Sequence, residues 1–149
     1  MLEKLLVNPV LISGLTAWFL AQILKTPLEF LWSKRWNWGA VFSAGGMPSS
    51  HSALMTSTTL AAGLFVGFDT PVFALSLAVT MIVVYDAAGV RRQAGIHAER
   101  INLLVQELFK GHDVSQELLK EVIGHTPRQV VAGVLLGVTI ALLVWWAYA

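Results

Sequence analysis

The chain has 149 residues, of which 56% are hydrophobic and only 13% charged, about half the charged share of an ordinary soluble domain. With a mean hydropathy of +0.67, this composition excludes a disordered chain, which needs low hydrophobicity and high charge. A net charge of +1 gives no electrostatic basis for nucleic-acid binding, and the absence of cysteine excludes disulfides, thiolate metal sites and thiol catalysis. The apolar residues fall in runs long enough to cross a bilayer, so a single-domain, polytopic membrane protein is expected.

A transmembrane helix needs about 20 mostly apolar residues. The first such run covers 5–24 and ends at Lys25-Thr26-Pro27; without a convincing cleavage motif it is expected to be retained as a span. The second, 49–68, opens with a Ser- and Thr-rich half, which spans a membrane when it faces other helices. Asp69-Thr70-Pro71 then makes a tight turn, with Pro71 at the start of a third span over 71–90.

From 91 to 124 the chain is polar. Ile96, Ile101, Leu104, Val105 and Leu108 recur at helical spacing within it. Asp113 with Gln116 resembles a capping box that opens a second short helix ending at Gly124. The fourth span, 127–148, follows Thr126 as N-cap. The expected fold is therefore all-α, a bundle of four transmembrane helices with a helical polar segment between the third and fourth. No internal repeat is present. Gly63 and Gly67, and Gly133 and Gly137, are spaced four apart and suit close helix contacts, within one subunit or in a homo-oligomer.

Four spans place nine of the ten basic residues on one side, leaving only Lys4 on the other. The positive-inside rule makes that side cytoplasmic and puts both termini outside. Trp32, Trp36 and Trp38 suit an aromatic belt at the inner interface, and Trp145 and Trp146 one at the outer.

The polar groups near the span ends collect on one face. Gly45-Gly46-Met47-Pro48-Ser49-Ser50-His51-Ser52 opens the second span, Asp86, Arg91 and Arg92 close the third, His125 to Gln129 opens the fourth, and Lys25 closes the first. Helix N-termini with free N–H groups attract anions. Gly46 permits close backbone approach, Pro48 suits a first helical turn, Ser49 and Ser50 supply hydroxyls, and Arg91 and Arg92 present forks that match phosphate oxygens. Asp86 pairs most simply with Arg91 or Arg92. These residue types together describe a phosphate site at a membrane surface, although each serine also reads as an N-cap and each arginine as a membrane anchor.

Gly-Gly-Met-Pro-Ser-Ser-His-Ser, Val-Tyr-Asp-Ala-Ala-Gly-Val-Arg-Arg and Gly-His-Thr-Pro-Arg-Gln-Val-Val-Ala-Gly, in that order, resemble the divergent branch of the type 2 phosphatidic acid phosphatase superfamily. That superfamily shares its fold with vanadium haloperoxidases, and the branch comprises small membrane proteins of bacteria and plastids. The resemblance implies a bacterial inner or plastid-type membrane, His125 as the nucleophile that forms a phosphohistidine, and His51 as the acid that protonates the leaving oxygen. Ser49 and Ser50 would hold the phosphoryl oxygens. No cofactor or metal is implied, with vanadate only a phosphate mimic, and the expected partners are membrane lipids bearing phosphate. Two departures stand out. The aspartate position of the last motif is Gln129, for which Asp86 is a possible source of charge, and the Ser-Arg pair that normally precedes the last His is missing. The alternative to a lipid phosphatase is a non-catalytic membrane protein of the same fold, binding anionic lipid or serving a larger complex.

Overall fold

A computed structural model describes residues 7–34, 36–39, 45–108, 119 and 124–148. These residues form five helices: α1 Pro9–Ser33, α2 Ser50–Val66, α3 Pro71–Ala88, α4 Val90–Leu108 and α5 Pro127–Tyr148. Among the described residues no strand occurs.

α1 begins where the Asn8 side chain accepts hydrogen bonds from the N–H groups of Val10 and Leu11, with Pro9 in the first turn. It does not stop at Leu24 as expected but runs on through Pro27, to a left-handed cap at Lys34. Proline inside a helix forfeits one backbone bond, a loss that membrane helices tolerate when packing restores it. Here Lys25 and Thr26 are buried, and the Thr26 hydroxyl donates to the carbonyl of Asn37. The chain after the helix thus folds back onto its last turns. Phe30, Trp36 and Trp38 stack edge-to-face in series, with ring centroids 5.4 Å apart at each step.

α2 sits at the centre, with α1, α3 and α5 packed around it. Its small and hydroxylated residues follow from that position. Ser52, Ala53, Ser57, Thr59, Ala61, Ala62 and Gly63 are all buried. Ser57 shares a hydrogen bond of 2.7 Å with Ser13 of α1, and Thr59 one of 2.7 Å with Thr80 of α3. The surrounding helices present glycines to it. A Cβ at Gly137 would lie 2.6 Å from the carbonyl oxygen of Ala53, and one at Gly133 would strike the carbonyl oxygen of Ser49. The Gly133/Gly137 pair is therefore consumed by packing inside the subunit, as close helix approach requires.

Three segments are long and apolar enough to cross a membrane: Pro9–Leu31, Pro71–Leu108, which contains α3, and Pro127–Tyr148. The second expected span falls short of that standard because α2 has 17 residues, about 25 Å at 1.5 Å per residue, against a hydrocarbon core of about 30 Å. Its neighbours, not lipid, solvate it. α3 shows the opposite behaviour: Val72, Leu75, Met81 and Ile82 are exposed, and only Thr80 and Ala87 are buried.

α2 and α5 run parallel. Their starts are joined by the Ser49 N–H donating to the carbonyl of Gln129 (3.0 Å), and their ends by the ring contact of Phe65 with Tyr148. α3 runs antiparallel to α2 after the turn at Thr70, whose hydroxyl accepts from the Phe73 N–H and donates to the Gly67 carbonyl. The beginnings of α2 and α5 and the end of α3 consequently share one end of the bundle. Trp145 and Trp146 mark the opposite end from Trp36 and Trp38.

α4 is the expected amphipathic helix of the polar segment. Asn102 exchanges two hydrogen bonds of 2.9 Å with the backbone of Leu119, and Gly124 lies against the backbone of Arg91 and Arg92. α4 is thus met by Leu119 at Asn102 and by Gly124 at Arg91 and Arg92, and Gly95, Ala98 and Asn102 are buried. The expected capping pair Asp113 and Gln116 lies outside the described residues.

Candidate functional site

The site is assembled where α2 and α5 begin. Gly46 takes a φ of +87°, a conformation that side chains disfavour, and the Met47–Pro48 peptide is cis. Ser49 is the N-cap of α2, so Pro48 lies before the cap and not in the first turn as expected. The Ser49 hydroxyl oxygen accepts from the Ser52 hydroxyl at 3.0 Å and from the Ser52 N–H at 3.4 Å. It retains its own O–H as a donor. Ser49 and Ser50 are both buried, whereas His51 is exposed.

The approach to α5 is fixed from three directions. The His125 N–H donates to the carbonyl of Ala87 (3.1 Å), at the end of α3 where a helix leaves carbonyls without intrahelical partners. Gly124 has no side chain to collide with α4. Thr126 and Gln129 then form a reciprocal capping box: the Thr126 N–H donates to Gln129 Oε1 at 2.9 Å, and the Gln129 N–H donates to Thr126 Oγ1 at 3.4 Å. Gln129, at the position where the family resemblance expects an aspartate, therefore has a local structural task.

His125 is 3% exposed, and among the described residues its ring nitrogens have the Gln129 side chain and the Gly46 backbone as polar neighbours without closing a well-aligned hydrogen bond. Burial holds its pKa below the usual histidine value; the positive charges of Lys25 and His51 act in the same direction, and the neighbouring Gln129 side chain and Gly46 backbone oppose them. The ring is neutral at pH 7. A buried imidazole without a well-aligned partner is costly, and here it lies just before α5, whose start is joined to that of α2.

Asp86 is paired with Arg91 through Arg91 Nε, as expected of the two. Their charges, with that of Lys25, act on His51, whereas the charges acting on His125 are those of Lys25 and His51. Asp86 thus bears electrostatically on His51. Lys25 does not close α1 but lies inside it, buried, at the wall of a cavity of about 310 Å3 that also includes Glu29, Gly46, Met47, Arg128 and Gln129. A second cavity of about 260 Å3 contains Arg92, Gly95, Glu99 and Gly124, and shares Gly46, Thr126 and Gln129 with the first.

Of the residues expected from sequence, the structure brings Lys25, Gly46, Gln129 and Arg92 to these cavity walls, and His51 and His125 within electrostatic reach of one another. Ser49 and Ser50 stay buried at the cap. Sequence reasoning overlooked Glu29 and Glu99. Glu29 lies one helical turn beyond Lys25, and Glu99 two turns beyond Arg92, spacings that share a helix face. Ending the first helix at Leu24 hid the former.

An all-helical bundle with apolar outer helices and a polar, histidine-bearing end defines an integral membrane protein with a candidate anion site. The chain belongs to the Divergent PAP2 family, whose model matches residues 6–140. It is 38% identical over 151 aligned residues to YuiD, an uncharacterized membrane protein of Bacillus subtilis (strain 168), a match covering 94% of this chain and 96% of that one. No solved structure matches it.

Proposed function

We propose that the protein binds and hydrolyses a phosphomonoester on a membrane lipid. The observation that carries this reading is His125, buried just before α5, whose start is joined to that of α2, with its pKa held down by burial and no well-aligned partner for its ring nitrogens among the described residues. A neutral imidazole has the lone pair that attack on phosphorus requires. In the proposed reaction a His125 nitrogen bonds to phosphorus, the bond to the lipid oxygen breaks, and His51 delivers the proton to that oxygen. Water then attacks the phosphohistidine, releasing inorganic phosphate and restoring both histidines. Lys25 and the N–H groups at the two helix starts stabilise the charge that develops on the phosphoryl oxygens. The lipid character of the substrate rests on the membrane setting, which holds a hydrocarbon tail beside the site. In this reading the end that bears the site faces the cytoplasm, as the excess of basic residues there favours.

One observation favours a second, non-catalytic reading. Gln129 Oε1 already accepts the Thr126 N–H, and an amide cannot stabilise an imidazolium as a carboxylate does. The same site would then hold an anionic headgroup without turnover. Phosphate release from phosphatidate, phosphatidylglycerol phosphate and polyprenyl phosphate by the purified protein separates the two. Release that disappears in His125→Asn supports catalysis. Background release from both proteins, with phosphate binding that His125→Asn abolishes, supports the non-catalytic site.

A further inference from the structure

We propose that the second cavity, on the α4 side, is a headgroup subsite that selects a phosphate ester carried on a hydroxyl-bearing group, such as a glycerol, over one carried on a bare alkyl or prenyl chain. This inference rests on the phosphate reading given above. Arg92, Gly95, Ile96 and Glu99 fall on one stripe of α4, and all four face this cavity. Gly95 contributes no side chain, and that omission leaves room between a guanidinium one turn below and a carboxylate one turn above. Gly124 closes the same cavity from the returning chain, against the backbone of Arg92.

The charges define the ligand. Arg92 offers a fork of donors to anionic oxygens. Glu99 offers acceptors, which suit hydroxyl groups. The first cavity differs in that Leu28 and Met47 add apolar surface beside Lys25. The two cavities meet at Gly46, Thr126 and Gln129, next to the groups that bear on His125. A ligand whose phosphate sits at this shared wall can extend its hydroxyl-bearing part toward Glu99. About 260 Å3 accommodates a three-carbon polyol together with water.

The same chemistry occurs in a free polyol phosphate and in a phospholipid headgroup, and two sets of measurements distinguish them. In the first, the detergent-solubilised protein is titrated with inorganic phosphate and with glycerol 3-phosphate, followed by calorimetry. In the second, the protein in nanodiscs is presented with phosphatidate or phosphatidylglycerol phosphate at equal mole fraction, following bound lipid and phosphate release. Glycerol 3-phosphate is expected to bind about ten- to a hundredfold more tightly than inorganic phosphate, the range for hydrogen bonds to a charged group. Glu99→Ala is expected to erase that advantage and Glu99→Gln to retain part of it, since an amide oxygen still accepts. Preference for phosphatidylglycerol phosphate in nanodiscs, lost in Glu99→Ala, assigns the subsite to a lipid headgroup. Preference confined to the soluble ester assigns it to a free polyol phosphate. Equal binding of the two soluble ligands, unaltered by Glu99→Ala while His125→Asn still abolishes both, overturns the subsite and leaves the phosphate reading standing. Failure of every phosphate ligand to bind, with His125→Asn indistinguishable from the native chain, overturns both.

Discussion

Gly137→Ala tests the packing on which the site depends, because two principles give it opposite signs. In a free helix, replacing Gly by Ala stabilises by about 0.8–1 kcal/mol. In this bundle the new Cβ meets α2 at three points: 2.6 Å from the Ala53 carbonyl oxygen, 2.9 Å from Thr56 Cβ and 3.0 Å from the Ser57 nitrogen. Two of these are backbone atoms that cannot rotate away. Ordinary contact begins near 3.4 Å, so α2 and α5 must separate by the better part of an ångström. Overpacking of this kind costs about 1–3 kcal/mol. The strain extends to the hydrogen bond between Ser49 N–H and Gln129 carbonyl, now 3.0 Å, whose loss adds about 1 kcal/mol. After the gain in helix propensity, the expected net effect is destabilisation by about 1–3 kcal/mol, or a melting temperature lowered by several degrees at about 2–4 °C per kcal/mol. The assay is thermal unfolding in detergent followed by tryptophan fluorescence, with the exposed Val131→Ala on the same helix as control. A melting temperature equal to or above that of the native chain would refute the close α2–α5 contact.

Further outcomes follow from the same geometry. Because burial lowers the pKa of His125 in the folded state, the unfolded chain binds the proton first. Its contribution to stability is full above the unfolded value near pH 6.5 and is lost as pH falls through the lower folded value. Melting scans from pH 8 to pH 5 should therefore decline less steeply for His125→Gln than for the native chain, and parallel curves would contradict the buried neutral ring. Thr126→Ala and Gln129→Ala should each cost about 1 kcal/mol, and the double variant little more than either alone, because one capping box is lost in all three; full additivity in melts would argue against the box. Asp86→Asn should cost under about 1 kcal/mol, since its pair with Arg91 is half-exposed, and a loss above about 2 kcal/mol would show that Asp86 carries more than this pair. For the side of the membrane, a cysteine in place of exposed Asp69 should react with an impermeant thiol reagent in intact cells, and one in place of exposed His97 should be shielded; the reverse pattern would invert the assigned orientation.

Hydropathy alone marked α1, α3 and α5 as membrane-crossing segments, because apolar run length is a local property that the bilayer reads directly. Local chemistry also sufficed for the turn at Thr70-Pro71, the N-cap at Thr126, the amphipathic α4 and the pairing of Asp86 with Arg91. Each of these depends on residues within one or two helical turns. The motifs around His51 and His125 were likewise legible, since their order along the chain carried the family resemblance.

Other features depended on residues distant in sequence. The hydroxyl-rich α2 is central because Gly133 and Gly137 let α5 close against it, while its hydroxyls bond to Ser13 of α1 and Thr80 of α3, and no window of its own sequence reports those neighbours. The helix through Pro27 persists because the chain after it folds back onto Thr26, which a local proline rule cannot anticipate. Gln129 looked like a weakened catalytic acid, yet its side chain closes a cap whose geometry appears only once His125 is held by Ala87. Glu29 and Glu99 entered the cavity walls through helix extent and helix face. Sequence supplies the chemical groups and the lengths of the helices, while burial, desolvation and close approach arise only when distant segments exclude solvent together. Those three determine why His125 is buried at the start of α5 with its pKa held down.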